Sequence, residues 1–185
     1  MTNYISQAEA EELCETMLRL YLGRNTPASD RIDIDGFVRG YLKCRILYET
    51  FAEDDPDKIG FAGDGKTPLQ IKKDGKTISA VFPFQTIVLE SFLLTPEEST
   101  HRRFTLAHEA GHVIAMRLNP DSAACFHHAH DLEREYTLPE LRERYSISEW
   151  QANTIAASLL MPVPVMRKTL RKFNGGKRLP VYGET

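Results

Sequence analysis

Residues 106–114, Leu-Ala-His-Glu-Ala-Gly-His-Val-Ile, place two histidines four apart with a glutamate directly after the first. On a helix of 3.6 residues per turn, positions 108 and 112 differ by about 40° around the axis. Both imidazoles then leave one face a turn apart and can meet on one metal ion. Glu109 lies about 100° round from His108, beside the pair, where zinc peptidases of this pattern carry their general base. The competing reading is a pair of core histidines satisfied by hydrogen bonds. In a chain with only six histidines, the full pattern is rare by chance, and three unpaired polar groups on a buried helix would be costly. The metal reading is therefore preferred.

A catalytic zinc takes three protein ligands and keeps one position for water. A third histidine in the extended pattern is excluded, because Ala115 stands at its glycine position and Leu118 at its histidine position. The residues themselves leave several donors open between Asp121 and Glu149, including the cluster His127, His128 and His130. Glu149 is preferred on geometry. It opens a helical segment whose face continues with Asn153, Ala156 and Leu160, with Ala152 alongside, and small residues there allow close approach to the His108 helix. Asn153, one turn on, is expected to hold the Glu149 carboxylate. The alternative for Glu149 is a capping-box role with Ser146. Tyr136, Tyr145 and the three clustered histidines are the candidates for stabilising an oxyanion.

These residues need elements to position them. Ser6 and Glu9 form a capping box ahead of a stripe of Ala10, Leu13, Met17, Leu20 and Tyr21, which predicts an N-terminal helix. A second short helix is expected from Asp33 or Asp35 to about Leu42. Between Lys43 and Glu90 the period changes to two. The runs CRILYETF, LQIKK, TISAVF and TIVLE, separated by turn residues, predict a small, mostly antiparallel sheet, with a hairpin at Asp74-Gly75. Thr95-Pro96-Glu97-Glu98 predicts a helix start, and that helix runs to about Leu118. Phe104, Ala107, Gly111, Ala115 and Leu118 flank its histidines, Leu106, Ala110 and Val113 cover its back, and Gly111 is expected to allow packing against the sheet. A short helix is expected around 139–145. Ser146 or Ser148 then caps the Glu149 helix, and a basic helix follows Pro162 and Pro164.

Bulk properties narrow the class. The chain has 185 residues, enough for one domain with a proper core, and its net charge of −3 gives no reason to expect direct nucleic-acid binding. The N-terminus lacks a basic region followed by an apolar run, so no signal peptide is expected, and no stretch is apolar for long enough to span a membrane. Cys14, Cys44 and Cys125 are odd in number and widely spaced, which fits a reduced cytoplasmic protein. Residues 1–29 read as an N-terminal helical segment, 30–165 as the main domain, and 166–185 as a basic C-terminal helix and tail. In that last segment Arg167, Lys168, Arg171, Lys172, Lys177 and Arg178 read as a solvated face, or else as a docking surface for an acidic patch.

The combination of TIVLE, RRFTLAHEAGH and EWQANTIAASLLMP, in that order, resembles the ImmA/IrrE family of metallopeptidases over roughly residues 30 to 165. Carried over by position, the resemblance implies His108, His112 and Glu149 as zinc ligands and Glu109 as the catalytic acid/base. It implies an α+β, zincin-like single domain: N-terminal helices, a small sheet, an active-site helix carrying HEAGH and a second helix bearing the third ligand. It further implies a zinc-dependent endopeptidase whose substrate is a helix-turn-helix repressor of a mobile element or a stress response, which makes the chain an anti-repressor. The alternative it leaves is a zinc-binding regulator that silences its repressor by contact alone. Ile155 departs from the family at a position often aromatic, which affects packing more than chemistry. Hydrolysis of a small amide is a weaker third reading, with no small-molecule pocket legible in the sequence.

Overall fold

The computed structural model describes residues 5–23, 31–55, 57–118, 126–128, 137–139, 142 and 146–177, with 126–128 described by backbone alone. Helix α1 (Gln7–Leu22) begins as its sequence dictates: the Ser6 hydroxyl accepts from Glu9 N–H, and the Glu9 carboxylate accepts from Ser6 N–H at 2.8 Å. Its buried residues are Ala10, Cys14 and Leu18. Leu13, Met17 and Tyr21 border that face, while Leu20 is exposed, so the inward stripe lies about one residue away from the expected one. Asp33 caps α2 (Ile34–Gly36), accepting from Gly36 N–H at 3.0 Å. The helix continues as a π turn (Phe37–Tyr41) that buries Phe37 and Val38.

The sheet has five strands of five to seven residues and a sixth of three: β1 (Arg45–Phe51), β2 (Lys58–Ala62), β3 (Pro68–Lys73), β4 (Lys76–Val81), β5 (Thr86–Glu90) and β6 (Phe126–His128). Their order is β4-β3-β1-β5-β2-β6. Asp74 and Gly75 turn the β3–β4 hairpin with φ of 51° and 75°, the left-handed pair that an Asp-Gly type I′ turn requires. The pairing is antiparallel except at the centre, where β1 runs parallel to β5 from Arg45↔Thr86 to Glu49↔Glu90. The sheet is therefore mixed. Strand β2, which is not among the runs that predict strands, lies between β5 and β6 and is nearly all buried.

Helix α3 (Ser99–Leu118) starts later than its sequence signals suggest, because Thr95–Glu98 forms a separate turn, with Glu98 N–H donating to the Thr95 carbonyl. It is buried from Thr105 to Ile114 without a break, and again at Met116. Phe104 and Leu118 are partly exposed. Arg103 and Arg117 donate to the carbonyls of Ile32 and Leu42, tying α3 to the segment before β1. Helix α4 (Ile147–Leu160) packs on α3 and α1, and α5 (Val163–Asn174) follows with no fully buried residue. The main core lies between the helices and one sheet face and takes in α1, α2, α3, α4, β2 and β5. A smaller cluster of Phe61, Leu69, Ile71, Phe82 and Val88 covers the other face. Cys14 and Cys44 are free and buried, and burial pushes the Cys14 thiol up to about 12. Among the described residues, no helix is long and apolar enough to cross a membrane.

Candidate metal centre

The apolar circumference of α3 sinks His108 and His112 into the interior, at 0% and 3% exposure. Two imidazoles there need a partner that replaces water. It arrives on α4. Ser146 caps that helix, its hydroxyl accepting from Glu149 N–H at 3.3 Å. This is half of the capping box, since the Glu149 carboxylate turns to the histidines. Its Oε2 lies 3.2 Å from His108 Nε2, its Oε1 lies 3.1 Å from His112 Nε2, and the two Nε2 atoms are 3.0 Å apart.

Three donors at these separations fit one small cation. Bonds of about 2.0–2.1 Å at tetrahedral angles set ligand atoms roughly 3.3–3.4 Å apart, close to the observed triangle. Among the described residues, His108, His112 and Glu149 form the cluster able to hold a metal ion. The protonation pattern suits it. Asn153 Oδ1 is 2.9 Å from His108 Nδ1 and accepts its proton, which leaves the Nε2 lone pair directed at the other donors. Asn153 therefore orients a histidine, and not the Glu149 carboxylate as its spacing suggested. Burial lowers the His112 pKa by more than the Glu149 hydrogen bond raises it, which favours the neutral, ligating form. For Glu149 without a metal, burial opposes ionisation, yet hydrogen bonds from His108 and His112, and their charge when they are protonated, outweigh it and hold the carboxyl far below its ordinary range.

Glu109 is fully buried beside this triangle. Its carboxylate lies against β2 at Gly60, where a Cβ would fall well inside 3.0 Å of Oε1 and 3.0 Å from Cδ. Gly111 is the other close approach, and it faces α4 instead of the sheet: an added Cβ would meet Ala152 O at 2.8 Å and Ala152 Cα at 3.0 Å. The expected small-residue contact is thus real, with Ala152 and Ala156 fully buried at the helix junction. Ile155 is also fully buried, so an aliphatic side chain fills that position. Gly60 is not among the site residues expected from the sequence, because it lies outside the runs that predict strands. Tyr136, Tyr145 and His130 lie outside the described residues, as do the side chains of His127 and His128 and most of the expected 139–145 helix.

Comparison with known proteins bears on the stretch that holds these donors. The family model of the IrrE N-terminal-like domain matches residues 92–179, which include His108, Glu109, His112 and Glu149. The chain is 33% identical over 112 residues to the radiation response metalloprotease IrrE of Deinococcus radiodurans. That stretch is 60% of this chain and 30% of the relative, so this chain matches less than a third of the relative's length. No solved structure matches significantly. Residues 92–179 are thus similar to the IrrE N-terminal-like domain, as the ImmA/IrrE-like motifs of the sequence lead one to expect.

Proposed function

We propose that the chain is a zinc-dependent endopeptidase of the His-Glu-x-x-His…Glu type, and that its substrate is a helix-turn-helix transcriptional repressor. The observation that carries the reading is the convergence of His108, His112 and Glu149 with Glu109 buried alongside. The match to a relative named as a metalloprotease supports it. Two imidazoles and one carboxylate are the donor set of catalytic zinc in several peptidases. Held by His108, His112 and Glu149, zinc would supply Lewis-acid chemistry for the scissile carbonyl and for an attacking water. Glu109 accepts the proton from that water as it adds to the carbonyl, then delivers it to the departing amide nitrogen. Asn153 keeps His108 in the ligating tautomer. The repressor assignment rests on the family resemblance.

The test is incubation of the zinc-loaded chain with the repressor encoded nearest its gene, with and without chelator, followed by mass measurement of fragments. Fragments that vanish with chelator, and fall about 10²–10⁴-fold in rate for Glu109→Gln at unchanged zinc content, are expected. Intact repressor released from its operator by both the native chain and Glu109→Gln would instead establish silencing by contact.

A further inference from the structure

We propose that Gly60 is a positioning residue for Glu109: the missing side chain on β2 is the space in which the carboxylate stands. The inference rests on the peptidase reading and deepens it by naming what sets the general base in place.

Four observations lead there. First, a Cβ on Gly60 would collide with Glu109 Oε1 and Cδ, and would lie 2.9 Å from Thr105 Cγ2. All three are side-chain atoms of α3, on residues one turn apart. Second, Gly60 is absent from the glycines with positive φ, so its backbone conformation is open to any residue and space is the reason for glycine. Third, the strand cannot easily retreat. Gly60 pairs with Leu89 of β5 on one side and His127 of β6 on the other, beside a register shift. Fourth, Thr105 is held by its own hydroxyl, which donates to the His101 carbonyl at 3.0 Å. Glu109 Oε1 and Cδ stand at the far end of a long, flexible side chain, so a rotation about its own bonds relieves the collision at least cost. The three atoms nearest such a Cβ belong to Glu109 and Thr105, and none to His108, His112 or Glu149, so alanine at position 60 is expected to move the carboxylate before it disturbs the donor triangle.

The experiment compares the native chain, Gly60→Ala, Glu109→Ala and Gly60→Ala/Glu109→Ala, each zinc-loaded, by crystal structure, zinc stoichiometry and melting temperature. The expected Gly60→Ala protein binds one zinc, and its Glu109 carboxylate is displaced by about an ångström or more. Should Gly60→Ala fail to fold, Gly60→Ala/Glu109→Ala is expected to fold, since the closest collision is gone and only the Thr105 methyl, 2.9 Å from the added Cβ, must still shift. An unmoved carboxylate with a shifted strand, or a double variant that also fails to fold, overturns the proposal. These readouts need no turnover, so they separate it from the peptidase reading. Where the repressor is cut, Gly60→Ala is expected to lower kcat at least 100-fold with little change in KM, yet to cost nothing further in a Glu109→Gln background. Additive losses would mark a merely structural role and count against it.

Discussion

Gly111→Ala probes whether the close contact of α3 with α4 sets the metal geometry. The added Cβ would meet Ala152 O at 2.8 Å, Cα at 3.0 Å and C at 3.3 Å, where ordinary contact begins at 3.4 Å. The shortfall against the carbonyl oxygen is about 0.6 Å, and every colliding atom is backbone, so no side chain can swing aside. The helices must part. Gly111 precedes His112 directly, and Ala152 follows Glu149 by three residues, so the strain acts at the level of the donor triangle. Ligand distances tolerate roughly 0.2 Å, and a parting of half an ångström exceeds that. Zinc affinity is expected to fall about 10- to 100-fold, or about 1.4–2.7 kcal/mol. Overpacking costs about 1–3 kcal/mol, offset by about 1 kcal/mol of helix propensity gained over glycine, so the zinc-free chain loses about 0–2 kcal/mol. Competition with a chromophoric chelator reads the affinity, and thermal melting of the zinc-free protein reads the stability. Native zinc affinity in a variant whose melting point has dropped would show that the helices part without moving Glu149, and the argument fails.

Asn153→Ala removes the acceptor for His108 Nδ1–H and is expected to weaken zinc about 10- to 100-fold. Calorimetric titration measures it, and an unchanged affinity would deny Asn153 its orienting role. Glu149→Gln replaces the carboxylate that approaches both imidazoles, and one zinc per chain should no longer survive gel filtration. The zinc-free protein should lose stability with acid. His112 and Glu149 both have folded pKa values below their ordinary ones, so the unfolded chain binds more protons. Their stabilisation is fully present above about pH 6.5 for the imidazole and about pH 4.5 for the carboxyl, and is lost as pH falls through each folded value. Melting temperatures measured from pH 7.5 down to 4 should decline, and a flat profile would contradict the assigned burial of His112.

Much of the donor set could be read from residue order because it depends on local geometry. The 108/112 spacing needs only a helix, and Ser146 fixes where α4 begins, hence where Glu149 points. What escaped depended on contacts distant in sequence. Gly111 reads as a packing glycine from either side, and only the fold shows that its neighbour is Ala152 on α4. Asn153 sits one turn from Glu149, yet its partner comes from another helix. The parallel β1–β5 pair joins segments separated by three strands, and no turn signal encodes such a crossover. Strand β2 has acidic turn residues before it and a glycine at its centre, which lowers its strand propensity.

Burial also shapes the electrostatics of the whole centre. Helix α3 brings Glu109 to full burial and α4 brings Glu149 to 6% exposure, so two carboxylates are withdrawn from water at one helix junction. Two neutral imidazoles add no charge to balance them. A divalent cation at the donor triangle carries +2 against those two negative charges, and bound metal is usually the largest charge in its site. A cation held by these donors would therefore also offset the desolvation of Glu109. Removing Glu149 takes away a ligand and half of the counter-charge; removing Glu109 takes away counter-charge alone. Loss of zinc should accordingly be far greater for Glu149→Gln than for Glu109→Gln, though each variant deletes one negative charge. Equal losses would mean that charge balance, and not ligation by His108, His112 and Glu149, is what retains the metal.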